Sequence, residues 1–432
     1  MNTLFRAIDN SPLIIFRIFF GLLIACESFG AILMGWVKVV FIDPEFTFTF
    51  IGFEWLQPLP GWGMYYYFIL KGVLGISIML GYYYRISIIL YTILWAGVYL
   101  MQKSYYNNHY YLLLLISFLM IFLPANRYAS LDVKQRRVNQ EQTMPNWISL
   151  LFIFQMFIVY FYASVAKLYP DWLNGTYTKM LLAGTTSRPL FLEIFAQKWF
   201  YMFVAYAGIL FDLLIVPLML IKKTRTIALI ASILFHVFNA LTLQIGIFPF
   251  FALTFVLFFY EPETIRKIFL RNKHQFITSD SKSNYYGKKL VYYLIIPYVI
   301  IQTILPLRHH FIDGDVLWTE EGHRLSWRMM LRKRDGFISI KIKNLKTGIV
   351  TFYDYNKNLS SKQARNLATK PDFIWQYCQR IKKEYQNEKI AIYIDCKNSI
   401  NNKEYRTFID PNFDMAKAEW SHFKHNEWIV LY

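Results

Sequence analysis

The stretch WISLLFIFQMFIVYFYASVAKLYPDWLNG, residues 147–175, runs for twenty residues without a charge and then meets a lysine. Twenty apolar residues is about the length a helix needs to cross a bilayer. Lys167 therefore stands at the rim of a membrane-grade segment. An ammonium there is costly unless it snorkels, pairs or gives up its proton. A lysine that gives up its proton becomes an amine base, which is how a buried lysine does chemistry. On spacing alone, the first reading is a topology anchor, the usual work of a lysine at a helix end.

Outward from this segment lie eight more apolar stretches: about 12–37, 62–82, 86–102, 109–125, 199–221, 226–243, 246–260 and 290–306. The chain has 432 residues, 56% hydrophobic and only 17% charged, and its mean hydropathy is +0.29. That balance over such a length means a polytopic membrane protein, not a set of soluble domains. The first apolar stretch carries Arg17 and Glu27 and shows no small-residue cleavage site, so it reads as a span and not as a signal peptide. Only Gln244, Ile245 and Gly246 separate the seventh and eighth stretches, so one tilted helix plus a re-entrant piece stays open there.

Basic residues set the orientation. One set of alternate loops holds Arg85, then Arg127, Lys134, Arg136 and Arg137, then Lys222, Lys223 and Arg225. Its last loop holds Arg266, Lys267, Arg271, Lys273, Lys282, Lys288 and Lys289. The other set is sparse, with Lys38, Lys103, Lys167, Lys179, Arg188 and Lys198. The positive-inside rule puts the first set and the N-terminus in the cytoplasm and the C-terminus outside, which nine spans satisfy. Lys167 and the Asn107-Asn108-His109 triplet then share the outer face. The net charge of +18 belongs to these loops and does not imply nucleic acid. The three cysteines, Cys26, Cys378 and Cys396, have no metal spacing.

Beyond Arg308 the composition becomes that of a soluble domain. FISIKIK (337–343) alternates at period two, and Lys346-Thr347-Gly348 turns into 349–355, which predicts a hairpin. Residues 360–385 read as one helix, and 390–395 and 404–409 as two further strands. The expected architecture is a helical membrane domain of about nine spans, residues 1–307, followed by a mainly β extramembrane domain with a helix, residues 308–432.

No Walker loop, GxGxxG, CxxC, HExxH or nucleophile elbow is present. His236 lies within the seventh stretch, His109 at the mouth of the fourth, and His309 and His310 after the ninth. An intramembrane histidine is a functional candidate, although an interhelical hydrogen bond serves it nearly as well. With only His236 deep, paired-histidine haem ligation is not expected. Asp212, Lys71 and Glu27 lie within spans and predict interior ion pairs, for catalysis or for helix packing.

Several blocks, in order, carry a resemblance. They are FRIFFGLL (16–23), QPLP (57–60), LGYYYRIS (80–87), YNNHYYLLLL (106–115) and PANRYASLD (124–132), then QMFIVYFYASVAKLYPDW (155–172) and FHVFNA (235–240). Outside the membrane come LSWRMMLRKR (325–334), KTGIVTFYDY (346–355) and FIDPNFDMAKAEWSHFKHNEW (408–428). The sequence resembles the vitamin K-dependent γ-carboxylase family, with its horizontally transferred transmembrane domain, almost end to end. The resemblance implies that a neutral lysine amine deprotonates reduced vitamin K, a menaquinol- or phylloquinol-type naphthohydroquinone. Reaction with O2 toward the epoxide then generates a base strong enough to remove a γ-proton from glutamate, and the carbanion captures CO2. No metal is called for.

On this resemblance Lys167 is the catalytic base, and its apolar flank (Val165, Ala166, Leu168) keeps neutral amine available. His109 assists carboxylation, His236 marks the quinone site, and Asn108 hydrogen-bonds the imidazole or an oxyanion. Trp327, Met329, Met330 and Arg334 fall in the block that binds glutamate. The implied partners are the lipid bilayer, of a bacterial inner membrane, and a glutamate-containing secreted or periplasmic protein or peptide.

Three departures are visible. Animal members have two adjacent lysines, and here the first is Ala166. Their disulfide between an outer loop and the extramembrane domain has no counterpart, because 38–61 lacks cysteine. They also continue past the position of Tyr432 through a region that helps grip a propeptide. The expectation is a smaller, bacterial-type member with quinol oxygenation intact and a glutamyl substrate unknown or absent. The competing readings are a quinol epoxidase without peptide carboxylation, and a non-enzymatic membrane scaffold or transporter.

Overall fold

In the computed structural model, the residues described are 2–185, 189–243, 246–275, 287–329 and 331–432. Met330, Arg188, Lys282, Gln244 and Ile245, which entered the sequence reading, lie outside them. Each of the nine apolar stretches is helical. The first five are α1 (Ser11–Leu33), α2 (Gly63–Leu80), α3 (Tyr84–Met101), α4 (Asn108–Phe122) and α5 (Trp147–Ala166). After them come α6 (Lys198–Leu220), α7 (Arg225–Leu243), α8 (Phe248–Thr254) and, beyond a short 3-10 turn, α9 (Pro262–Phe269). The last is α10 (Lys288–Phe311).

Seven of these are long and apolar enough to cross a membrane. The segment from Phe248 to Phe258 bends by 119° into α9, as a broken span or re-entrant loop, and α4 has only 15 residues. At 1.5 Å per residue α4 is about 22 Å long, too short to cross a ~30 Å core unaided. Large apolar side chains such as Ile93, Phe203, Leu234 and Ile304 face outward, as a lipid-facing surface requires.

The helices cross where small residues permit it. A Cβ on Gly21 of α1 would lie 2.3 Å from the Met79 nitrogen of α2, and one on Gly75 would lie 2.8 Å from the Ala25 nitrogen. The α1–α2 crossing is therefore backbone on backbone. Of α7, only Ala228, Ser232 and His236 are buried, a stripe at i, i+4, i+8, so the helix presents a single narrow face to the bundle.

Three of the quoted blocks meet in capping contacts. Arg17, buried in α1, donates to the carbonyls of Ala125 (3.0 Å), Tyr128 (3.3 Å) and Ala129 (2.6 Å) after α4. Asp132 accepts from the Tyr83 and Tyr84 amides at 2.8 and 3.0 Å, satisfying orphan donors at the start of α3. The basic loops gather at this end, where Lys273 also bonds Asp9 and Asn10, each at 2.6 Å. Short strands β1 (Ala7–Asp9) and β2 (Thr143–Pro145) pair there.

At the opposite end sits the C-terminal domain. Strands β3 (Arg334–Asn344), β4 (Val350–Phe352), β5 (Ile390–Ile400) and β6 (Arg406–Ile409) form one antiparallel sheet in the order β4-β3-β5-β6. The expected hairpin is β3–β4. The single helix expected over 360–385 is instead two, α11 (Ser361–Thr369) and α12 (Pro371–Glu384), because Lys370 precedes proline and is extended at φ −131°. Ile338, Ile340 and Ile342 of β3 pack with Phe373, Tyr377 and Ile381 of α12. Cys378 and Cys396 are buried free thiols.

The two domains exchange side chains. Phe48, from the loop after α1, lies in the C-terminal core, 4.6 Å from the Phe373 ring. In return Trp327 lies in the core of the helical bundle, 4.9 Å from Tyr111. Lys103, just beyond α3, is buried against Asp372 at 2.8 Å.

Candidate functional site

Lys167 ends α5, with Pro170 three residues on. A helical side chain leans toward the N-terminus of its own helix, so the Lys167 chain runs back down α5 and away from the C-terminal domain. Its ammonium donates to the Ala163 carbonyl at 3.2 Å, one of the orphan acceptors of the last turn. It also forms a short ion pair with Asp212 of α6. The facing helices are held in register by Ser164 Oγ on the Ile209 carbonyl (3.2 Å) and Trp172 Nε1 on the Ala205 carbonyl (3.0 Å). Asp212 follows Ile209 by one turn, which places it within the bundle. Lys167 is only 9% exposed. An interfacial anchor would point the other way.

Two turns deeper on α5, the Tyr160 hydroxyl shares a 3.0 Å hydrogen bond with Nε2 of His236. Nδ1 of His236 is buried with no partner among the described residues. Phe248, at the start of α8, joins this pair to the next group. Its ring lies 6.1 Å from His236, edge-on, and 3.6 Å from His109, stacked at 13°. Asn107 caps α4 by accepting from the Tyr110 amide at 2.8 Å, which fixes His109 in the first turn. Tyr160–His236, Phe248 and His109 thus form one continuous line, with the Lys167–Asp212 pair two turns along α5 from Tyr160. A narrow apolar cleft lined by Met156, Tyr160, Val216, Ser232, Phe255 and Phe259 opens beside Tyr160.

Against the C-terminal side of this line lies the segment 325–334. The Tyr169 hydroxyl donates to the Leu331 carbonyl, and Leu331 packs with Ala166 and Trp172. Asn108 Nδ2 donates to the Arg328 carbonyl at 2.9 Å. Leu325 and Trp327 both adopt left-handed backbone angles, φ 62° and 58°, which non-glycine residues rarely take. This segment is clamped between the end of α5 and the start of α4.

Comparison with known families supplies the context. The HTTM domain family matches residues 5–263, and the lumenal domain of vitamin K-dependent gamma-carboxylase matches residues 287–432. The chain belongs to the vitamin K-dependent gamma-carboxylase family. No solved structure matches it.

As a gamma-carboxylase family member, the chain shows where its sequence-derived site residues stand. Lys167, His236 and His109 are brought together, although they come from three different helices. Asn108 makes no hydrogen bond to His109 among the described residues; its Oδ1 accepts from Tyr106 at 2.8 Å, and it holds the Arg328 carbonyl. Trp327 is wholly buried, with Nε1 unpartnered among the described residues, and Met329 packs partly buried on the bundle core. Arg334 donates to the Trp318 carbonyl at 2.6 Å and pairs with Glu320 at 3.3 Å. Met330 lies outside the described residues.

Of the ion pairs expected within the spans, Asp212 has its partner in Lys167. Lys71 and Glu27 do not meet within 4 Å. Instead the Lys71 ammonium lies 4.1 Å from the Phe68 ring and 4.4 Å from Trp95, and Glu27 accepts from Tyr110 at 3.4 Å. Sequence reasoning did not find Tyr160 or Phe248. The signal for Tyr160 was its i−7 spacing from Lys167, which places both on one helix face.

Proposed function

We propose that this protein oxidises a reduced vitamin K-type naphthohydroquinone with O2 and couples that oxidation to CO2 addition at the γ-carbon of a glutamate side chain. The observation that carries the reading is the Lys167 ammonium, turned into the membrane and paired with Asp212 two turns along α5 from the line of His236 and His109. The donor set suits such a quinol: the Tyr160 hydroxyl and a buried His236 nitrogen without a partner among the described residues, with apolar side chains around them. The cleft beside Tyr160 holds only about 20 Å³ and would have to open to admit the ring. When bound, the quinol supplies with O2 the oxidation that drives the carboxylation.

The residues' own work follows from their placement. The Lys167 amine acts once its ammonium has given a proton to solvent, while the Asp212 carboxylate holds the nitrogen in place. The amine then accepts a hydroxyl proton, and Asp212 in its charged form stabilises the resulting ammonium. Tyr160 holds His236 by Nε2 and so leaves Nδ1 to face a ligand. His109, stacked on Phe248, serves the carboxylation side, next to the 325–334 segment, in which Trp327, Met329 and Arg334 support the glutamate site. The density of basic residues in alternate loops supports a cytoplasmic N-terminus and a C-terminal domain on the outer face, in what we take to be a bacterial inner membrane.

Purified wild type is expected to convert the quinol to its epoxide, and Lys167→Ala to lose that activity by at least about a hundredfold. Full epoxidation by Lys167→Ala would refute the base assignment. Labelled CO2 with glutamate-containing peptides decides whether carboxylation follows; epoxide without incorporated label leaves a quinol epoxidase only.

A further inference from the structure

The 325–334 segment is rich in cations, and most are already matched. Glu320 pairs with Arg332 and Arg334, and Asp372 with Arg324 and Lys103. Glu321 accepts from Asn426 and meets His425, while Asp171 is held by Lys403 and Asn401. Of the guanidinium groups around this segment, Arg308 and Arg328 are left over. Neither has a carboxylate within 4 Å among the described residues, and each has a buried Nε without a partner. Half-buried guanidinium donors left unmatched are costly unless an anion completes them.

Arg328 is also aimed. His309 Nδ1 lies 2.9 Å from the Pro306 carbonyl, which can only accept, so Nδ1 carries the hydrogen and Nε2 is a bare lone pair. That lone pair accepts from Arg328 Nη1 at 3.4 Å. The backbone of the same residue is tied to Asn108, beside His109. Arg308, adjacent to His309, donates to the Arg324 carbonyl at 2.9 Å. Burial and the facing Arg332 push Arg328 down to about 10, a strain that a bound anion would relieve. Arg334 shares an unpartnered Nε among the described residues, but it differs in having a carboxylate. Its Nη1 pairs with Glu320 and donates to two carbonyls, and its guanidinium lies over the rings of Trp318 and Phe408.

We propose that Arg328, supported by Arg308 and His309, is the receptor for the side-chain carboxylate of the glutamate substrate, and that Arg334 holds the fold of the segment instead. This assignment rests on the carboxylase reading for the identity of its ligand. A guanidinium receives a carboxylate through two parallel hydrogen bonds, and the backbone of Arg328 is held by Asn108 at the start of α4, next to His109.

The test is binding by full-length detergent-purified protein, without quinol, of a short apolar peptide carrying one glutamate and of its glutamine twin. Wild type is expected to prefer the glutamate peptide by about tenfold or more, the worth of a charge-assisted pair. Arg328→Gln is expected to bring the two affinities within about twofold of each other while still binding the glutamine peptide. Arg328→Lys is expected to fall between. Loss of both peptides in Arg328→Gln passes the decision to Arg328→Lys, where an undiminished preference overturns the assignment and a reduced one supports it. No glutamate preference in wild type, or an undiminished one in Arg328→Gln, overturns it as well. A wild type that keeps the preference but does not oxidise quinol refutes the proposed function and leaves the carboxylate site standing.

Discussion

A lysine at the end of a membrane helix ordinarily stretches its ammonium toward the headgroups, and Lys167 sends it the opposite way. The reversal depends on Asp212, which is 45 residues away and on another helix. Lys167 itself could be read from the chain, because a charge at the edge of an apolar run is a local signal. Its partner could not be assigned, because which two spans face each other is decided by packing. Asp212→Asn should leave an unpaired buried ammonium and destabilise the protein by about 3–5 kcal/mol. The double variant Lys167→Met/Asp212→Leu should regain most of the melting temperature and remain without epoxidation. Thermal unfolding in detergent reads the first effect and a quinol assay the second; an Asp212→Asn variant as stable as wild type would mean that the pair does not hold the helices.

Elements were more legible than contacts. The apolar stretches became helices within a few residues of where hydropathy placed them, since burial in lipid is a property of each segment alone. The break at Pro371 was missed because an amphipathic pattern continues on both sides of it. What hydropathy cannot show is how closely two helices approach. The α1–α2 crossing has room for no side chain at Gly21 or Gly75. Gly75→Leu should separate the two helices and abolish recovery of folded, monodisperse protein. Gly35, whose Cβ would meet nothing within 4 Å, supplies the control through Gly35→Asn, a residue that tolerates its left-handed φ of 71°. Equal yields of both variants would remove the close-packing argument.

At the scale of the whole molecule, the two domains are joined through buried charge as well as through Phe48 and Trp327. Burial alone would raise Asp372, but Arg324 and Lys103, with Lys370 behind them, hold its carboxyl at about 2, below the ordinary 3.8. A carboxyl depressed in the folded state stabilises it above the ordinary value, and that contribution fades as pH falls through the folded one. Between about pH 4 and pH 2 the protein should therefore lose roughly 2 kcal/mol from this group, visible as a falling unfolding midpoint. Asp372→Asn should be less stable at neutral pH and show a shallower fall over that window; an unchanged slope would exclude Asp372 as the source.

The exchange of Phe48 and Trp327 also bears on the order in which the protein is made. Phe48 emerges early, yet its pocket is built by residues from 318 to 429. Trp327 emerges after helices α1–α10, yet it fills a gap among them. During synthesis the bundle therefore waits, unplugged, for the last quarter of the chain. The line from Lys167 to His109 acquires its roof only once residues 325–334 have been made, so a ribosome that stops before them leaves these side chains uncovered.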